Sequence, residues 1–303
     1  MVKLGAMLSE LSFIDFGVIL GGSVWIGAVV LLIWGMVKGR KDAHRITHLD
    51  SGVALKTDRG KEGTEILTHK LSYLPISLTD PTDVYPLVSV IVAARNEEQN
   101  LPGCLAALTS QDYPLEKWEL IVVDDHSTDR GAEIVRDWQR KSSSIALITA
   151  PPIRSGYSPK KSALLAGISQ SQGDIILTTD ADCRPPSGWI RGMTAHFFSD
   201  EVAAVVGFSP LVEDRVSNAW SFSFSALVKS LVQRINREVV CLDSLINGVV
   251  MAGSAGWGRA ISAAGRNLAY RRNWFEKVGG FGETVRSLSG DDDLLIHRFL
   301  KGG

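Results

Sequence analysis

Three acidic groups stand out in the sequence: Asp124-Asp125, Asp180-Ala181-Asp182 and Asp291-Asp292-Asp293. The second has the clearest setting. It closes the run Gly173-Asp174-Ile175-Ile176-Leu177-Thr178-Thr179, and an apolar run between Gly and Pro reads as a buried strand. Alternate residues of an extended chain share a side, so Asp180 and Asp182 are expected to converge just past the strand end. In open α/β sheets that end is where ligands bind. Two hard oxygen donors there suit Mg²⁺ or Mn²⁺ holding a diphosphate. The plainer alternative is a solvated turn, because Asp is common after strands. The third group stands where a helix is expected to begin. An acidic first turn of a helix would explain one such residue, since it gains under ~1 kcal/mol from the dipole, but three adjacent carboxylates repel.

The elements needed to carry these groups can be read around them. Strands are expected at Leu87–Ala94, Leu120–Val123, Ile145–Thr149, Asp174–Thr179 and Val202–Phe208. Helices are expected at Glu97–Ser110, Thr128–Lys141 with Thr128 as N-cap, Lys160–Gln170 and Ser187–Phe198. Apolar strands alternating with amphipathic helices predict an α/β fold, a mostly parallel sheet with helices on both faces. In such a sheet the first two acidic groups face one edge. The first βα turn, Ala93-Ala94-Arg95-Asn96-Glu97, opens there too. It has neither a Gly-x-Gly-x-x-Gly fingerprint nor a Walker lysine loop, so metal and side chains must hold any phosphate.

Composition excludes more than it assigns. The chain has 303 residues, with 32 basic against 33 acidic, which disfavours a general nucleic-acid binder. Its three cysteines, Cys104, Cys183 and Cys241, are far apart and show no metal spacing. Residues 16–37 carry no charge, long enough to span hydrocarbon as a helix. Lys38, Arg40, Lys41 and Arg45 follow that span. The positive-inside bias then predicts a single-pass protein of the cell (inner) membrane with everything after residue 38 in the cytoplasm. Residues 1–15 read as a tail and 38–86 as a linker with one short helix or strand. From Val216 to Met251 the chain turns helical, apolar and aromatic, interrupted by Lys229, Arg234 and Arg237. Two readings of this stretch stay open: a helix in the membrane interface, or one packed on the sheet.

Five segments in order now carry a resemblance. Val88–Glu98 followed by Val122–Asp129 is similar to the donor-binding half of a family 2 glycosyltransferase. Lys160-Lys161-Ser162-Ala163-Leu164 resembles that family's lysine-alanine-leucine segment, and Asp180-Ala181-Asp182 its DXD motif. Gly265-Arg266-Asn267 through Gly280-Phe281, then Asp291-Asp292, resemble its acceptor-side segments. The resemblance covers residues 87–303, with 87–208 as the nucleotide-sugar half and 209–303 as the acceptor half. It implies a Rossmann-like GT-A fold behind one transmembrane helix, a nucleotide-sugar donor (a UDP-sugar), Mg²⁺ or Mn²⁺, and inversion at the anomeric carbon. The implied acceptor is a glycan or a lipid-linked molecule at the membrane, with no nucleic acid involved.

Residue by residue, the resemblance implies that Ala93 and Glu97 line the base pocket. Asp125, alone or with Asp124, takes the uracil or ribose, and Lys161 sits on the nucleotide-sugar. Asp180 touches ribose or metal, and Asp182 ligates the metal. The family's catalytic carboxylate belongs to a Glu-Asp pair with Leu at plus four and Arg at plus seven from the Glu. Leu295 and Arg298 keep that spacing from Asp291, so Asp292 takes the base position and Asp291 replaces the Glu. The Gln-x-x-Arg-Trp segment of processive polysaccharide synthases is missing, which leaves a non-processive enzyme or part of a longer chain. Two rivals remain. A nucleotidyltransferase would need a Gly-rich triphosphate loop after the first strand. An inactive membrane-bound scaffold would have no reason to keep all the acidic motifs.

Overall fold

The computed structural model describes residues 85–198, 200, 202–209, 240–254 and 263–302, and the backbone of short strands at 52–56, 58–59 and 65–66. The expected span at 16–37 and most of the 216–251 stretch lie outside the described residues. Among the described residues, no helix is long and apolar enough to cross a membrane.

The strands in chain order are β1 (Gly52–Lys56), β2 (Asp58–Arg59), β3 (Glu65–Ile66), β4 (Val88–Ala94), β5 (Trp118–Asp124), β6 (Ile145–Thr149), β7 (Ile175–Asp180), β8 (Val202–Gly207) and β9 (Leu268–Arg271). Helices are α1 (Leu101–Thr109), α2 (Gly131–Gln139), α3 (Pro159–Gln170), α4 (Trp189–Thr194), α5 (240–254), α6 (Arg272–Lys277) and α7 (Asp293–Lys301). Seven strands form one sheet in the order β1-β8-β9-β7-β4-β5-β6, and β2 pairs with β3 separately. The β7-β4-β5-β6 block is parallel, as the apolar runs predict, whereas β9 is antiparallel to both β7 and β8. At the sheet's edge β1, from the stretch read as linker, pairs antiparallel with β8.

Every expected strand is present. Their side chains alternate between two cores: Val88, Val90 and Val92 pack with α1, α2 and α4 on one face, and Ile91 packs with α3, α6 and α7 on the other. Burying a Val or Ile side chain stabilises by roughly 1.5–3 kcal/mol, so β4, buried on both faces, anchors the sheet. From β4 the chain builds outward to β5 and β6, then returns to β4's other side for β7. The order reverses between β4 and β7, and that reversal opens the crevice in which α/β sheets bind ligands.

Two helix starts differ from the sequence reading. Residues 97–100 form a turn before α1 begins at Leu101. Thr128 does not cap α2: its backbone N–H and hydroxyl both donate to Asn96 Oδ1, and Asp129 Oδ1 accepts from Gly131 N–H instead. The competing partner is thus the neighbouring strand-end turn. At α3, Ser158 is the N-cap and Pro159 takes the first turn, where a missing N–H costs nothing.

Candidate active site

The ends of β4, β5 and β7 lie side by side. Ala93 pairs with Asp180, and Ala94 with Asp124, so the first two acidic groups and the first βα turn share one sheet edge. Two of the turns interlock. Asn96 and His126 both adopt φ of 57°, a left-handed conformation that Asn and His tolerate better than most side chains. Asn96 N–H donates to Ser127 Oγ, Glu98 N–H to Asp129 Oδ2, and Arg130 N–H to Glu98 Oε2. Glu97 Oε2 accepts from Asn100 Nδ2, which fixes that carboxylate at the entrance to α1.

Asp124 is spent locally, its Oδ1 accepting from Ser127 N–H. Asp125 is not. Its side chain is buried, with Oδ2 3.7 Å from the Arg95 guanidinium, and Oδ1 has no hydrogen-bond partner. A buried carboxylate oxygen left unpaired is costly, and a ligand N–H or O–H arriving there would remove the penalty.

β7 ends at Asp180, and the chain turns at once. Cys183 N–H donates to Asp180 O at 3.1 Å, so Ala181 and Asp182 occupy a β-turn. The expected extended geometry is therefore replaced by a tighter one. Asp182 is exposed and Asp180 half-buried. Among the described residues no three His, Cys, Asp or Glu side chains form a metal cage. Two strand-end carboxylates fit Mg²⁺ or Mn²⁺ when the remaining ligands are diphosphate oxygens and water.

The acidic run near the end of the chain joins this edge through Lys160. Its ammonium lies 2.9 Å from Asp180 Oδ1 and 3.0 Å from Asp291 Oδ2. Desolvation pulls the Lys160 ammonium down, but Asp180 and Asp291 outweigh it, so its pKa is raised and the group stays charged. Asp292 is the N-cap of α7: Oδ1 accepts from Asp293 N–H and Oδ2 from Gly265 N–H, each at 2.8 Å. A carboxylate has about four lone-pair sites, so two remain for a hydroxyl. Asp293 is turned away, accepting from Ala263 N–H, and burial raises its pKa despite that bond. A Cβ at position 265 would stand 2.8 Å from Asp291 Oδ2, so a larger residue there would push that carboxylate aside. Gly265 O in turn accepts from Thr178 Oγ1, which ties the acidic run to β7. The spacing to Leu295 and Arg298 also has a structural reason. Leu295 is fully buried, and Arg298 donates to Gly280 O and Val278 O, so together they dock α7 with Asp292 at its start.

One expected site residue lies elsewhere. Lys161 is fully buried, donating to Thr284 O at 2.7 Å and Ser289 O at 2.8 Å. Burial lowers its pKa, with Asp291 and Asp292 opposing the shift. Its ammonium braces the loop before α7 from behind, and Lys160 is the lysine that reaches the carboxylates. The sequence did hold a signal: Leu164 and Ile168 are buried on α3, and Lys161 falls on their stripe three residues before Leu164.

Known proteins agree with this architecture. The chain is 34% identical over 219 residues to the probable glycosyltransferase YdaM of Bacillus subtilis (strain 168), covering 72% of this chain and 47% of that protein. It is 33% identical over 149 residues to an undecaprenyl-phosphate 4-deoxy-4-formamido-L-arabinose transferase of Salmonella choleraesuis (strain SC-B67), 48% of this chain and 43% of the other. The chain therefore spans less than half the length of these relatives. The fold is similar to that of the mannosyltransferase PcManGT from Pyrobaculum calidifontis, solved with GDP-Man and Mn²⁺, with a TM-score of 0.52, 24% identity and coverage of 74% of this chain and 57% of that one. Residues 89–279 match the family described as Glycosyl transferase family 2. With the carboxylates of both halves gathered at the strand ends of a GT-A-like sheet, the chain belongs to glycosyl transferase family 2.

Proposed function

We propose that the chain is a metal-dependent, inverting glycosyltransferase that moves a sugar from a UDP-sugar to a hydroxyl of a glycan or lipid-linked acceptor. The observation that supports this reading is the reach of one ammonium to both Asp180 and Asp291, which brings the second and third acidic groups close together. Asp125 takes the base or ribose through its unpartnered oxygen, beside Ala93 and Glu97. Asp180 and Asp182 would hold Mg²⁺ or Mn²⁺, which would supply Lewis-acid neutralisation of the charge on the leaving diphosphate. Asp292 accepts the proton of the acceptor hydroxyl as its oxygen bonds to the anomeric carbon. The bond from that carbon to the diphosphate breaks on the opposite side, and its electron pair leaves with the nucleoside diphosphate. A single displacement inverts the configuration.

The uncharged stretch at 16–37 anchors this domain to the inner membrane, with the site on the cytoplasmic side. The Salmonella relative, named for an undecaprenyl phosphate, supports a lipid-linked acceptor. The test is thermal stabilisation of the full chain by a panel of nucleotide-sugars with and without Mn²⁺. One UDP-sugar is expected to raise the melting temperature when Mn²⁺ is present, since ligands that bind only the folded state stabilise by mass action. If no nucleotide-sugar stabilises the protein, the reading fails.

A further inference from the structure

Lys160 occupies a position that its own helix does not favour. It is the second residue of α3, and a cation near a helix N-terminus opposes the dipole. Its side chain is only partly buried, so it contributes nothing to the core. What it does have is two charge-assisted bonds, one to Asp180 at the end of β7 and one to Asp291 in the loop before α7. No other ion pair among the described residues joins the donor half to the acceptor half of this edge.

We propose that Lys160 is a resident counter-cation: its ammonium ties Asp180 to Asp291 until a divalent cation takes Asp180 from it. This inference rests on the reading of Asp180 and Asp182 as the metal-holding pair. A divalent ion on Asp180 and an ammonium on the same carboxylate repel, so the two compete for it. Partly exposed pairs of this kind are weak enough to break on ligand entry, yet they keep like charges from facing one another in the empty site. Loss of Asp180 leaves the ammonium on Asp291 alone. The competition is reciprocal: a contact that metal weakens must weaken metal binding by the same factor.

The experiment is a titration of the full chain with Mn²⁺ alone, following free Mn²⁺ by electron paramagnetic resonance. Lys160→Met and Lys160→Gln are both expected to bind Mn²⁺ about two- to fivefold more tightly than the parent, the factor that one weak, partly exposed ammonium contact supplies. Arg95→Gln serves as a control, because Arg95 sits on the same edge but pairs with Asp125. It should leave Mn²⁺ affinity nearly unchanged. Unchanged or weaker Mn²⁺ binding by the Lys160 variants overturns the proposal. So does an equal gain in Arg95→Gln, which would reveal a general field effect, and so does the absence of Mn²⁺ binding in all the proteins. Stabilisation of the parent by a nucleotide-sugar keeps the donor reading intact in any of these cases.

Discussion

Replacing Asp292 by Asn separates the helix cap that this side chain forms from the proton-accepting role proposed for it. As helix cap, its two oxygens each take a backbone N–H, from Gly265 and from Asp293. An amide offers one oxygen and one NH₂ group, so one of those N–H groups meets a donor. Leaving a partly buried donor unpaired costs about 1–3 kcal/mol. With the charge also gone from the remaining bond, a loss of about 2 kcal/mol is expected. For a domain of this size about 2–4 °C of melting temperature accompanies each kcal/mol, giving a drop of roughly 4–8 °C. As base, Asn cannot accept the hydroxyl proton, and transfer should fall by roughly 10²–10⁴-fold. Donor affinity should stay within a few-fold, because Asp125, Asp180 and Asp182 are untouched. The assay is single-turnover transfer at a temperature where both proteins are fully folded, alongside a thermal melt and donor titration. If Asp292→Asn lost the expected stability but kept transfer within threefold, while Asp291→Asn lost transfer, Asp292 would be only a helix cap and the proton acceptor would be Asp291.

The two lysines should part company in stability: Lys161→Met leaves Thr284 O and Ser289 O without their donor and should cost about 3 kcal/mol in urea unfolding, whereas Lys160→Met should cost under ~1 kcal/mol. Equal stabilities would refute the bracing role of Lys161. His196 is buried with neither ring nitrogen partnered, and desolvation lowers its pKa from 6.5 to about 4. Between those values the unfolded chain holds a proton that the folded one does not, so stability is lost as pH falls through that window, by about 2–3 kcal/mol at pH 4.5. His196→Leu should remove that part of the pH dependence without loss at pH 7, and identical urea-derived profiles for the two proteins would rule it out.

The parallel half of the sheet was legible because strands buried on both faces are mostly apolar, as Val88–Ala94 is apart from Ser89 and Ile175–Thr179 is as far as Leu177. β9 escaped because Leu-Ala-Tyr-Arg is only four residues and runs directly into α6, with no hairpin turn to announce an antiparallel partner. The start of α2 was misread because Thr128 satisfies every local rule for a cap, and only the neighbouring turn, 32 residues earlier in sequence, outbids it. Motif spacing located the carboxylates. What it could not convey was that Asp125 would be buried with one oxygen unpaired, or which of two adjacent lysines faces the sheet edge. Those facts depend on helix phase and on contacts between segments more than a hundred residues apart, such as Lys160 with Asp291.

The antiparallel placement of β9 bears on how the chain assembles as it is made. β8 reaches the centre of the sheet only through β9, yet Gly207 ends β8 roughly 60 residues before Leu268 opens β9. At ~5–20 residues per second of synthesis, that interval is about 3–12 s. Throughout it, a fully buried strand of the finished protein presents an unpaired edge, the feature that most readily recruits other chains. The segment that completes the sheet also carries Gly265, which receives Asp292. Asp292 lies 24 residues beyond Leu268, so the acidic loop can take its seat on Gly265 only after the strand that closes the sheet has been made.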